Sequence, residues 1–283
     1  VYAKYIKMQI TDKIKERFGS WLPMFEPFIT TPEFDKIFSF LQHQKSIRRV
    51  IVPTSDDVFK SFELCQRDKV KAVVVLMDPY PSITKDNIVI ANGVPMSCAN
   101  TGTLQPSLEI FYQGIEDSFF GFNPDFDKRA DNSYLLTEEG VLLLNSSLTC
   151  ERDKPGSHAE AWHPFMKFLF EEILNKYFSG LPIVLCGAQA HKLEKYVSPL
   201  LHYVKKIEHP VAASYQNRAW KYDDCFKWCN GIITANNGEE HAINWYRTKN
   251  KETEETECKK QKPIPGTKEP LKSSRSLGLP WDD

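Results

Sequence analysis

Apolar and polar positions divide this chain into short, wholly apolar runs and longer stretches of mixed spacing. The runs 72–77, 141–144 and 182–186 are apolar throughout. Short runs bounded by turn residues predict strands buried on both faces. Each stops abruptly: the first at Asp78-Pro79-Tyr80-Pro81, the second at Asn145-Ser146-Ser147, the third at Gly187-Ala188. A weaker run, 204–207, predicts a fourth strand that stops at Glu208-His209-Pro210, and 50–52 reads as a short extended segment. Helical spacing predicts helices within 1–45, broken at Pro23, Pro27 and Pro32, and over 56–67, 163–178, 189–203 and 223–236. Gln105-Pro106-Ser107-Leu108 opens another, whereas 83–103 and 119–134 are turn-rich and read as loops.

Strands alternating with helices imply a three-layer α/β/α fold around a central, mostly parallel, four-stranded sheet. In such a sheet the carboxyl ends of the strands lie on one side, where ligands bind. Asp78, Asn145 and His209 each stand just past a strand. Any one of them alone reads as a turn cap or a satisfied polar residue. Together they bring a carboxylate, an amide and an imidazole to one crevice, which is the makings of a catalytic site.

Charge narrows the partners. The 36 Lys and Arg offset 37 Asp and Glu across 283 residues, so no global basic field advertises nucleic acid, and any such binding must use a local surface. The 7 cysteines are scattered. Cys225 and Cys229 are the one close pair, at a spacing that suits one helix face better than a zinc site. All seven read as reduced thiols of an intracellular protein, with Cys98 and Cys150 inert. No metal or cofactor is expected. Trp162, Trp220, Trp228 and Trp245 are expected in the core, with His158 and His191 structural or phosphate-facing. No apolar run reaches membrane-spanning length, and Val1-Tyr2-Ala3-Lys4 carries no secretory pattern.

The composition changes near Arg247. A folded unit over 1–246 and a charged, disordered tail over 247–283 are expected. The tail ends in Leu277-Gly278-Leu279-Pro280-Trp281-Asp282-Asp283, an apolar and acidic segment suited to docking on a replication or single-strand-binding partner.

Six blocks over roughly residues 20–245 then fall in the order of the single-domain uracil-DNA glycosylases. Asp78-Pro79-Tyr80 resembles that family's water-activating motif, and Leu142-Leu143-Leu144-Asn145 its uracil-reading strand. Ser157-His158-Ala159 with Trp162, and Leu185-Cys186-Gly187 with Ala190, resemble the next two. His209-Pro210 with Ala213-Ser214-Tyr215 is similar to the DNA-inserting loop, and Ile243-Asn244-Trp245 to the closing segment.

The resemblance implies hydrolysis of the uracil–sugar bond in single- or double-stranded DNA by a monomer, after the base leaves the stack. It makes Asp78 the residue that orients water and offsets positive charge on the sugar. His209 would donate to the uracil oxygen on which negative charge grows. Asn145 would read uracil against cytosine, since its amide carries both a donor and an acceptor. Tyr80 would exclude thymine's methyl group, and the backbone at Met77 and Asp78 would lie near a base carbonyl. Ser107, Ser147, Ser157 and Ser214 become phosphate contacts. A glycosylase inhibitor protein becomes a candidate partner.

The chain also departs from the pattern. Leu76-Met77 stands where the family has Gly-Gln, Pro81 where it has His, and Met96 where an aromatic ring stacks on uracil. Val211-Ala212-Ala213 replaces Ser-Pro-Leu in a loop similar to that of divergent viral members. Ala213 is a poor wedge, which leaves Tyr215 or Arg218 to fill the vacated stack or leaves the enzyme to single strands. Two alternatives stay open beside the glycosylase. One is a lapsed DNA-binding or replication-accessory protein of the same fold. The other is a glycosylase with altered base choice.

Overall fold

The computed structural model describes residues 14–121 and 123–249. The strands are β1 (Ile51–Val52), β2 (Ala72–Leu76), β3 (Val141–Asn145), β4 (Cys150–Glu151), β5 (Pro182–Cys186) and β6 (Tyr203–Ile207). β2, β3, β5 and β6 form one sheet in the order β3-β2-β5-β6, with every neighbouring pair parallel. β2, β3 and β5 are buried along their whole length, whereas β6 is half exposed and takes an edge. Register pairs Leu76 with Asn145 and Cys186 with Ile207, so these strands end level with one another. β1 and β4 pair antiparallel in a separate ribbon.

Helices α1 (Leu22–Ile29), α2 (Pro32–Ser46), α3 (Lys60–Leu64), α4 (Pro106–Phe119), α5 (Tyr134–Thr137), α6 (Ala159–Phe168), α7 (Ala188–His191), α8 (Pro210–Gln216) and α9 (Cys225–Asn237) connect and cover the strands. Val74, Val184 and Cys186 meet Phe111 of α4, Trp220 and Phe226 of α9. A second aromatic cluster joins Phe18, Phe25, Phe59, Phe62 and Phe165, with Phe25 and Phe165 stacked at 5.1 Å. Trp162, Trp220 and Trp245 are buried as expected, and Trp228 is half-buried. Six cysteines are free and buried, Cys225 and Cys229 both among the buried residues of α9. Cys258 lies outside the described residues.

Several expected elements differ. Pro27 sits inside α1 without breaking it, and Pro32 opens α2 behind a Thr31 cap. The helix expected over 56–67 shrinks to α3, because Thr54 and Asp57 pair their side chains in a tight turn before it. The helix expected over 189–203 shrinks to α7 and a single turn at Glu194–Tyr196. Pro199 lies two residues past Val197, which is already extended, and forbids continuation. The helix over 163–178 starts earlier, at Ala159, and widens into a π-type turn over Leu169–Leu174. The stretch 119–134 is not purely a surface loop, since Phe126 and Asn132 are buried.

The folded unit also runs past residue 246. Asp127 N–H donates to the Arg247 carbonyl at 2.8 Å, and Lys249 N–H to the Asp125 carbonyl at 2.8 Å. The tail beyond, including the docking segment 277–283, lies outside the described residues. Among the described residues no helix is long and apolar enough to cross a membrane.

Candidate active site

The level strand ends open into one cleft of about 150 Å³. Met77, Asp78, Tyr80, Met96, Ser107, Asn145, His209 and Tyr215 line it, so the structure brings together most of the residues singled out in the sequence.

β2 delivers Asp78, and the turn that follows is tied down at several points. The Met77 carbonyl accepts from Ser146 Oγ at 2.9 Å and from Ser147 N–H at 3.1 Å. Cys150 Sγ lies 3.6 Å from the Pro79 carbonyl as a weak donor. Asp78 Oδ2 accepts from Gly156 N–H at 2.6 Å. Burial pushes its carboxyl up to about 6, against the opposing pull of that hydrogen bond. Above that pH it is an anion whose other oxygen has no partner among the described residues.

Asn145 ends β3 at 7% exposure. Its side-chain amide has no partner among the described residues, although it is buried and faces the cleft. A buried amide left open in this way is a group prepared for a ligand.

His209 caps α8. Its Nδ1 accepts from Val211 N–H at 3.2 Å, which leaves the proton of the neutral ring on Nε2. Burial holds the imidazole down to about 4, so at neutral pH it is an uncharged donor. Gly187 makes room for it. A Cβ there would lie 2.9 Å from His209 Cβ, and its φ of +87° also calls for glycine. Gly187 N–H and His191 Nε2 both meet the Ile207 carbonyl, at 2.9 and 2.8 Å, which fixes the strand end ahead of His209. His191 is therefore structural. So is His158, which is buried with Nδ1 on Thr149 Oγ1 at 2.9 Å.

The opposite wall is a loop. Tyr80 Oη meets Ser107 Oγ at 3.0 Å and lies 4.0 Å from Met96 Sδ. Met96 is buried at a φ of +59°, a conformation that methionine adopts only under constraint. The constraint is visible. Asn132 Nδ2 donates to the Pro95 and Met96 carbonyls at 3.3 and 3.2 Å, and Asn92 braces Val94 and Ser97. Gly93 lets this loop press on residue 57, where any Cβ would collide with the Asp57 carbonyl at 1.9 Å.

No family model matches the chain. The uracil-DNA glycosylase of Proteus mirabilis (strain HI4320) is 31% identical over 217 residues, covering 76% of this chain and 90% of that protein. The chain belongs to the uracil-DNA glycosylase family. The uracil-DNA glycosylase of Caenorhabditis elegans is 30% identical over 229 residues, 80% of this chain and 76% of that one. The crystal structure of mimivirus uracil-DNA glycosylase shares the fold, with a TM-score of 0.70 at 24% identity over 80% of this chain and 86% of the other. The family's enzymes are hydrolases of N-glycosyl bonds that act in base excision repair of DNA.

At the cleft rim several residues expected to contact DNA are placed differently from that expectation. Ala213 is 0% exposed, because α8 turns it inward, so it cannot enter a base stack. Arg218 is not free either. Its guanidinium grips Glu208 with both Nη atoms, Nη1 at 2.9 Å, and this partner holds the Glu208 carboxyl below its ordinary range. Trp220 Nε1 hangs from the Glu208 carbonyl at 2.9 Å, closing the base of α8. That leaves Tyr215, which stands 85% exposed at the cleft rim. Of the four serines, Ser157 is exposed and Ser214 half-buried. Ser147 is fully buried and donates to the Thr149 carbonyl at 2.6 Å, and Ser107 is 5% exposed and engaged by Tyr80. Ser147 thus spends its hydroxyl inside the protein, whereas Ser107 also lines the cleft.

Sequence reasoning missed Gly156, Ser146, Gly187's packing role and Asn132. Pro155-Gly156 does carry a turn signal. Nothing local in the sequence points that turn at Asp78.

Proposed function

We propose that this chain excises uracil from DNA by a metal-free hydrolysis that leaves an abasic site. One observation carries the proposal. The Asn145 amide and the His209 Nε2 both lack partners among the described residues, and they line one cleft with a carboxylate that has an oxygen to spare. A structural role would have used those groups.

The flipped base enters the cleft with its ring N–H and carbonyl on Asn145. Tyr80 stands at the C5 edge. As the glycosidic C–N bond breaks, its electron pair passes to the uracil ring, and His209 Nε2–H donates to the oxygen that gathers the charge. A neutral imidazole does this without cancelling Asp78. Asp78 offsets the positive charge on the sugar and receives a proton from the water whose oxygen bonds to C1′. Met96 covers the base face where the family has a ring. Its flexible thioether fills the gap at some loss of rigidity. In this reading Tyr215, exposed at the rim, enters the vacated stack, and Ser157 and Ser214 meet the phosphates.

Mimivirus UNG variants have been solved in complex with UGI, which supports extending the partners from uracil-containing DNA to a protein inhibitor.

The test is incubation with single- and double-stranded oligonucleotides bearing one uracil, followed by alkaline cleavage. Strand scission at the uracil is expected, strongest on single strands. Tight DNA binding with no scission at high enzyme would instead favour the lapsed, DNA-binding reading.

A further inference from the structure

Ser107 is almost wholly buried. It occupies the first turn of α4 and lines the cleft at 5% exposure. Among the described residues its hydroxyl meets the Tyr80 hydroxyl, 3.0 Å away. The same hydroxyl can donate to Met96 Sδ at 4.0 Å. If Ser107 donates to Tyr80 and Tyr80 donates onward to the sulfur, every proton in the row has an acceptor.

The row joins two walls that belong to different parts of the chain. Tyr80 comes from the turn after β2, and Met96 from the constrained loop 91–97. Both are half-buried or buried, and both line the cleft. A phenol ring discriminates by bulk only while it stays put, and a methionine side chain is easily displaced. Burial also keeps the Tyr80 phenol protonated, so it remains available as a donor.

We propose that Ser107 is a positioning residue for base selectivity: through the Tyr80 hydroxyl it locks the C5 wall and the Met96 face in one arrangement that rejects uracils substituted at C5. The proposal rests on the uracil-excising reading of the cleft and adds what fixes its substrate boundary. The group across from the phenol is a thioether, which yields more easily than a ring.

The experiment compares uracil with thymine and 5-hydroxymethyluracil in single-stranded oligonucleotides. Excision rates are read for the wild type, Ser107→Ala, Tyr80→Phe, the double variant and Ser107→Thr. Binding to uncleavable 2′-fluoro versions of the same nucleotides supplies the same ratio without turnover. In Ser107→Ala the 5-substituted to uracil ratio should rise about tenfold, the order of discrimination that one methyl group can carry. Tyr80→Phe should raise it similarly, since it removes the other end of the same bond. The double variant should match either single one, and Ser107→Thr should restore the wild-type ratio. An unchanged ratio, an equal loss on all substrates, or additive effects in the double variant would overturn the proposal. If the wild type excises no uracil, the broader reading fails, while the 2′-fluoro binding ratio still decides the role of Ser107.

Discussion

The cleft has two halves of different origin. One is carried by the sheet: Asp78, Asn145 and His209 follow the ends of β2, β3 and β6, held level by hydrogen-bonded register. The other is carried by loops and a short helix: Tyr80, Met96, Ser107 and Tyr215. The first half is the harder one to alter. Moving one strand end would require slipping buried strands, which turns whole apolar faces outward. A loop residue can change and be braced again, as Asn132 and Asn92 brace Met96.

If the sheet half holds the chemistry, its variants should lose most. Asp78→Asn should lower kcat on the order of 10³-fold, measured on single-stranded uracil DNA. His209→Ala should cost about 10²-fold. A loss under threefold in either would break the division of labour. Asn145→Asp should acquire cytosine excision that the parent lacks, because a protonated carboxyl can present the complementary pattern.

Support behind the sheet half should cost less. Gly187→Ala drives a Cβ at the His209 side chain and strains a positive φ, so stability should fall by roughly 1–3 kcal/mol in urea melts. Activity should fall with it. In the loop half, Tyr215→Ala should weaken duplex substrates by about tenfold, in line with the loss of one stacked ring, and single strands by less. An equal loss on both would remove Tyr215 from the wedge role.

Proton linkage gives the finest test. Activity should rise with pH through about 6, as Asp78 ionises, and then level off, since His209 is already neutral above about 4. The stability term has the opposite sense. The folded carboxyl titrates near 6 and the unfolded one near 3.8, so between those values the folded state binds more protons. Stability therefore falls as pH rises through that window. Asp78→Asn should then be more stable than the parent at pH 7–8, on the order of 1–3 kcal/mol by thermal melting.

The same division decides what was legible beforehand. The central strands could be read because buried parallel strands need continuous apolar runs, and their end residues came with them. Tyr215 against Ala213 could not be settled, because α8 is a short helix started by a His209–Pro210 cap, and its inward face follows from packing. Ser107 read as a phosphate contact because the family resemblance implied that role. Only the fold reveals that its hydroxyl also meets Tyr80. Gly156 was hidden for a related reason, since its amide meets a carboxylate 78 positions away in sequence.

The indole of Trp220 hangs from the carbonyl of Glu208, next to His209 in the chain. The protein thereby carries an intrinsic optical probe wired to its own catalytic loop. Any shift of that loop on substrate capture changes the polarity around the ring, so engagement can be timed in stopped flow from the part of the ultraviolet emission that a Trp220→Phe variant lacks, with no label on enzyme or DNA.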